Sequence, residues 1–244
     1  MAIIEGRNPI IEALKNNRPI EKIMVNKASK EGSIKKILAM ARDNKVIIQE
    51  VDRHKLDEMS ESHAHQGVIA ITSDYRYYDL DEILEIPKER GEDPFFIILD
   101  GITDPHNLGS IIRTADAVGA HAIIIPKRRS VQITPIVAKA SAGAVEYVPV
   151  CKVTNIVNTI KTLKENGLWI AAVDMDGQTF YQQNLAGPLG LVVGSEGEGI
   201  SRLVKQNCDF TVSMPMSGNV TSLNASVAGG ILLYEVYRQR NASK

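Results

Sequence analysis

Four segments of this chain run apolar almost without interruption: FFIIL (95–99), HAIII (121–125), LWIAAV (168–173) and LGLVVG (189–194). A strand wetted on one face alternates apolar and polar residues, whereas a strand apolar throughout is covered on both faces. Such runs point to a parallel sheet flanked by helices, an α/β fold. FTVSM (210–214) fits a fifth strand, and helical spacing fills the intervals at 108–118, 155–165, 199–206 and 226–239.

The N-terminal stretch is a smaller α/β unit. Helical patterns at 9–14, 33–42 and 53–59 alternate with strand patterns at 20–25, 45–51 and 67–72. The unit is expected to cover residues 1–73. Residues 74–94 carry two prolines and many charges, and read as a linker with a short helix at 80–84. Residues 95–244 then form the second domain, so 244 residues divide into two domains.

Charge excludes some functions. With 28 Lys+Arg against 29 Asp+Glu, the chain is no wrapper of nucleic acid by bulk charge, although a local basic patch remains compatible. At 5% aromatic residues, a surface that stacks bases mainly on rings is also disfavoured. Cys151 and Cys208 are too few for a disulfide framework and read as free thiols. Charges interrupt the N-terminal apolar residues too early for a signal peptide, and no apolar run is long enough to span a bilayer. A soluble, cytoplasmic protein without membrane contact is expected. His63 and His65 lack a third ligand nearby, so no metal is expected.

In an open α/β sheet, ligands bind beyond the carboxyl ends of the strands. Three such ends carry distinctive sequence: ILDGITDPHNLGSIIRTADAVGA (98–120), LVVGSEGEGIS (191–201) and SMPMSGNVTSLNASVAGG (213–230). Gly194, Gly197 and Gly199 follow neither the dinucleotide G-x-G-x-x-G nor the Walker A pattern, which disfavours NAD and ATP. A tight turn and a close ligand explain them equally well. Glu198, before the helix read at 199, suits a helix N-terminus; Glu196 has no such structural account. Asn107 and Ser222 both read as helix N-caps. Arg113 is either a snorkelling side chain or a fork for a phosphate or carboxylate. His106 reads as a surface or supporting group. Gly229 and Gly230 fall inside a helix at a cost of roughly 1 kcal/mol each relative to alanine, so closely packed backbone is expected beside them. KRRS (127–130) is a solvated loop or a polyanion contact.

Taken in order, NLGSIIRTADAVGA, LVVGSEGEGIS and MPMSGNVTSLNASVA resemble the three signature motifs of the SpoU (SPOUT-class, TrmH-like) family of RNA ribose 2′-O-methyltransferases. The likeness runs from about residue 94 to the C-terminus. The N-terminal unit resembles the L30e-like RNA-binding domain of the branch that methylates a guanosine in the peptidyl-transferase region of 23S rRNA.

The resemblance implies a catalytic sheet with a deep trefoil knot near its C-terminus and S-adenosylmethionine as cofactor. It places cofactor contacts at Gly194, Met214 and Leu223, and a catalytic set at Asn107, Arg113, Glu196, Ser222 and Asn224, with no metal. Arg113 would hold an RNA phosphate and stabilise developing alkoxide charge, because a guanidinium is a poor base. The alternatives are a tRNA or other rRNA ribose 2′-O-methyltransferase, or a noncatalytic RNA-binding assembly factor. A homodimer is expected as well: Ile231, Leu232, Leu233, Tyr234, Val236 and Tyr237 cover more of the last helix than one buried stripe needs.

Overall fold

The computed structural model describes residues 2–15, 19–29, 32–60, 64–72, 75–219 and 222–242. The chain divides into two compact units, Met1–Arg76 and Tyr77–Lys244.

The first unit runs β1 (Ala2–Glu5), α1 (Arg7–Lys15), β2 (Ile20–Asn26), α2 (Ser33–Asp43), β3 (Ile47–Val51), α3 (Arg53–Met59) and β4 (Val68–Thr72). Its sheet has the order β1-β4-β2-β3, with β2 and β3 parallel and β4 antiparallel to both β1 and β2. Ile10, Ile23, Ile34, Ile37 and Val68 form one core cluster; Met24, Leu56, Ile69 and Ile71 form another. Successive residues of β4 fall into different clusters because side chains alternate across a strand. His65 is buried here, its Nδ1 accepting from Gly67 N–H at 3.0 Å and its Nε2 lying 2.8 Å from Asp57. His63 lies outside the described residues. Among the described residues no group of three or more His, Cys, Asp or Glu is arranged to hold a metal.

The second unit begins earlier than the sequence pattern predicts. Within the expected linker, Leu80–Arg90 form a full helix, α4, with Ile83, Leu84 and Pro87 buried. The side chain of Glu82 accepts from the backbone N–H of Asp79 at 2.8 Å, and Gly91 ends the helix in the left-handed conformation. The charges that suggested a linker are its wet face. Then follow β5 (Phe95–Asp100), α5 (Pro105–Ala117), β6 (Ala122–Pro126), α6 (Pro135–Ala140), β7 (Val150–Val153), α7 (Ile156–Glu165), β8 (Trp169–Thr179), β9 (Leu189–Gly194), α8 (Arg202–Asn207), β10 (Phe210–Ser213) and α9 (Ala225–Asn241).

The sheet is parallel throughout, in the order β10-β8-β9-β5-β6-β7. Phe95 to Leu99 are all buried, as a strand covered on both faces requires. Phe96 and Ile98 pack with Ile83, Ile160 and Val204 of α4, α7 and α8. Both thiols are free, and burial pushes each up to about 12. No helix among the described residues is long and apolar enough to cross a membrane.

From β5 the sheet grows toward β6 and β7 on one side and toward β9, β8 and β10 on the other. The carboxyl ends of β5 and β9 are therefore the topological switch point, where diverging loops leave a crevice. Asp100 and Gly194 are register partners there.

Candidate active site

The loop after β9 folds back on itself. Ser195 and Gly199 exchange backbone hydrogen bonds of 3.1 and 3.0 Å, and Ser201 N–H donates to Asp100 Oδ2 at 2.7 Å. A Cβ on Gly194 would lie 2.2 Å from the carbonyl carbon of Gly199. The chain's own backbone thus requires glycine at 194. A Cβ on Gly197 would meet nothing within 4 Å. Helix α8 starts only at Arg202, later than the spacing suggests, so Glu198 sits in the turn and not at a helix start.

This turn carries Glu196 to the first turn of α5. Asn107 is only 6% exposed and does not cap that helix. Asp104 does, accepting from His106 N–H at 2.8 Å, because Pro105 takes the first helical position. Asn107 is thereby free to donate from Nδ2 to Glu196 Oε1 at 2.9 Å. Asn224 closes the triangle. Its Nδ2 donates to Asn107 Oδ1 at 2.9 Å and also to Glu196 Oε1. Its Oδ1 caps α9, accepting from Ser226 and Val227 N–H, which fixes which way the amide points. The cap expected at Ser222 is therefore at Asn224. Glu196 Oε1 also accepts from Ala225 N–H at 3.3 Å. Three distant segments meet on one carboxylate oxygen.

Beside this triangle, Gly194, Met214, Ser222 and Leu223 line a cavity of about 370 Å³ together with Glu196 and Asp174. Its wall is held from outside: Lys205 of α8 bridges Asp174 and Asp176 of β8 at 2.7 Å each. Apolar Val193, Met214, Leu223 and Ala228 with carboxylates at Asp174, Glu196 and Glu198 suit a ligand with a flat apolar part and positive charge. A second cavity, about 730 Å³, opens on the other side of the turn, with Glu196 and Asn107 in its lining. Sequence reasoning missed this second space. The basic loop after β6, read as a solvated loop or a polyanion contact, was one signal of it, and Asp100, closing an apolar strand, was the one passed over.

Arg113 does not join the others. It is exposed, lines neither cavity, and its side chain makes no hydrogen bond or ion pair among the described residues. Six residues of helix separate it from Asn107, roughly 9 Å of rise and about a third of a turn. Gly229 and Gly230 also differ from expectation. A Cβ at either would meet its neighbours, Ile111, Val193 and Thr114, at 3.8–4.0 Å, which is ordinary contact. The close approaches are elsewhere: Gly109 against α6, and Gly177 against Thr211. On α9, Leu232, Leu233 and Val236 are buried, while Val227, Ile231, Tyr234 and Tyr237 are exposed. The second apolar face is uncovered within one chain.

Comparison with known proteins agrees with this architecture. The SpoU rRNA Methylase family matches residues 94–234, and a family described as RNA 2′-O ribose methyltransferase substrate binding matches residues 3–78. A Bacillus subtilis protein named for the TrmH family of tRNA/rRNA methyltransferases is 50% identical over 97% of this chain and 95% of its own length. A namesake from Staphylococcus saprophyticus is also 50% identical, over 98% and 96%. Among solved structures, the SpoU methyltransferase AviRb from Streptomyces viridochromogenes in complex with AdoMet superposes with a TM-score of 0.62 at 26% identity, covering 98% of this chain and 90% of that one. An AdoMet-bound rRNA methyltransferase from Sinorhizobium meliloti gives 0.62 at 25% identity, covering 98% and 87%. With its three polar segments meeting at one sheet crevice and both halves matched, the chain belongs to the SpoU family of RNA methyltransferases.

Proposed function

We propose that the protein transfers a methyl group from S-adenosylmethionine to the ribose 2′-hydroxyl of a guanosine in the peptidyl-transferase region of 23S rRNA. The observation that carries this reading is the Asn107–Glu196–Asn224 triangle, set in the wall of the cavity lined by Gly194, Met214 and Leu223. That cavity would hold the cofactor, whose sulfonium supplies an already activated methyl group. The residues of the chain then have three tasks: to exclude water, to align the hydroxyl and to manage one proton. Alignment alone is worth roughly 7–11 kcal/mol in well-oriented systems. Glu196 and Asn107 would hold the ribose, and Ser222 and Asn224 would order the 214–224 loop. The first unit, with its substrate-binding match, would select the RNA. A cytoplasmic location belongs to the same reading. So does trefoil threading of the C-terminal region, supported by the close passes at Gly194 and Gly177.

Arg113 belongs to the proposal through a second copy of the chain. The exposed stripe of Val227, Ile231, Tyr234 and Tyr237 supports a homodimer, in which Arg113 of one protomer would complete the pocket of its partner. Light scattering across a dilution series, paired with activity, tests this. A monomer fully active at every dilution refutes it.

Mapping 2′-O-methyl marks on rRNA and tRNA with and without the gene tests the main reading. Loss of one guanosine mark in 23S rRNA is expected. Loss of a tRNA mark, in keeping with the broader naming of the relatives, would move the substrate; no loss, with no methyl transfer by purified protein, would leave a noncatalytic RNA-binding factor.

A further inference from the structure

The two cavities flanking the Ser195–Gly199 turn differ in what borders them. Among the described residues the smaller has no cationic side chain in its lining; the larger carries Arg128 and Arg129. These two arginines follow β6, are exposed, and make no hydrogen bond or ion pair through their side chains among the described residues. This holds although the carboxylates of Asp104 and Glu198 line the same cavity. The larger cavity also leaves an apolar surface in water: Leu203 of α8 is 67% exposed and borders it beside Val157.

We propose that the larger cavity is the seat of the acceptor RNA strand, with Arg128 and Arg129 each gripping one backbone phosphate at its rim and an unstacked base packed on Leu203 and Val157. This rests on the reading of the protein as an RNA methyltransferase acting at the Glu196 triangle. Three observations carry it. A volume of about 730 Å³ has room for a nucleotide and its flanking phosphate. Glu196 borders both cavities, so donor and acceptor held on its two sides meet at that residue. Finally, the charges are divided. Asp100, Asp104, Glu196 and Glu198 line the cavity with acid while Arg128 and Arg129 are its cations, so phosphate is held at the arginine loop and the base lies toward α8. Two unpaired guanidinium groups suit a phosphate better than a neutral ligand. The aliphatic floor accepts any base face, so this seat grips a strand without reading its sequence.

The test uses the full-length protein with two variants, R128Q/R129Q and Leu203→Ser. Binding to an rRNA fragment and to a tRNA transcript is followed by fluorescence anisotropy across a salt titration, with S-adenosylmethionine affinity measured in parallel. R128Q/R129Q is expected to weaken RNA binding at least tenfold and to flatten the slope of log K against log salt by about 1 to 1.5, at roughly 0.7 per phosphate contact on single strands. Cofactor affinity should stay within twofold. Leu203→Ser is expected to weaken binding severalfold with the slope unchanged. The single arginine variants, each with about half the slope change, stand in if the double variant does not fold. RNA affinity and slope equal to wild type in the arginine variants overturn the seat. If wild type methylates RNA and these variants do so equally well, the seat falls and the enzyme reading stands. If wild type binds RNA through these arginines yet transfers no methyl group, the enzyme reading falls and takes the acceptor seat with it, leaving an RNA-binding cavity. If wild type binds no RNA, both fall.

Discussion

At the amino end of the six-stranded sheet, His121 is 1% exposed and both ring nitrogens are engaged: Nδ1 accepts from Phe95 N–H and Nε2 donates to Glu92, each at 3.0 Å. Beside it, Arg240 donates to the carbonyls of Asp93, Pro94 and Gly187 at 2.7–2.9 Å and lies over the Phe95 ring. At the carboxyl end, Glu196 gathers three donors on one oxygen in the wall between two cavities, and Arg128 and Arg129 make no side-chain bond among the described residues. One end spends its polar groups on its own backbone and on a neighbouring carboxylate. The other holds them in place and leaves them open to a ligand. Polar groups closed on the backbone contribute to stability, while preorganised groups facing a cavity contribute to binding and chemistry.

The comparison breaks if substitutions at the two ends have the same consequences. The largest effect is expected for Arg113→Ala: methyl transfer falls to background while unfolding temperature and cofactor affinity hold. Mixing this variant with Glu196→Gln should then restore about a quarter of the wild-type rate, since half of randomly mixed dimers hold one intact site. No recovery on mixing would mean that Arg113 acts within its own chain. Next comes Glu196→Gln alone. The shape is kept and the charge is lost, so single-turnover transfer should fall ~10²–10³-fold, as when one preorganised polar group is removed from a reacting centre. A near wild-type rate would remove Glu196 from the chemistry.

Arg240→Ala should do the reverse. It deletes three charge-assisted hydrogen bonds to carbonyls at the feet of β5 and β9. A loss of about 2–4 kcal/mol in urea unfolding is expected, given that hydrogen bonds to charged groups contribute ~1.5–3 kcal/mol and water replaces part of them. Turnover per folded molecule should not change. A large fall in turnover with stability intact would show that the two ends do not divide their work as described.

How much of this was legible in the sequence follows the same division. The apolar runs at 95–99, 121–125, 168–173 and 189–194 encode burial on both faces, and all four became central or adjacent strands of one sheet. The edge strand Val150–Val153 and the six-residue helix Pro135–Ala140 were not read, because they are too short to show a period. Helix α4 was read only over 80–84 and as part of a linker, because Ile83, Leu84 and Pro87 are diluted by surface charge. At the crevice, Asn107, Glu196 and Asn224 were picked out by motif, yet by residue type Asn107 read as a cap. Only the pairing of Asp104 with Pro105 assigns the cap correctly and frees the asparagine. The offset of Arg113 follows from its six-residue helical spacing from Asn107, but the meeting of Asn107 with Glu196 and Asn224, 89 and 117 residues away, could not be read from spacing.

The smallest expected effect concerns pH and isolates the amino end. Burial holds the His121 imidazolium in disfavour and pushes its pKa below the usual 6.5, the hydrogen bond to Glu92 opposing this; Arg90 and Arg240 nearby act in the same direction as burial. The Phe95 N–H also needs an unprotonated Nδ1 as its acceptor. Below about pH 6.5 the unfolded chain therefore takes up a proton that the folded chain refuses. Stability contributed here is full above that pH and is lost as pH falls toward the depressed folded value. His121→Gln removes the titration and can keep an acceptor for Phe95. The unfolding temperature of the wild type should fall more steeply between pH 7 and pH 5 than that of the variant, by a few degrees at most, as about 1 kcal/mol shifts the midpoint of a domain this size by ~2–4 °C. Other titrating groups are common to both proteins and cancel in the difference. Equal slopes for the two would show that the Phe95–His121–Glu92 contact tolerates a charged ring, and the amino end would lose its claim to be closed.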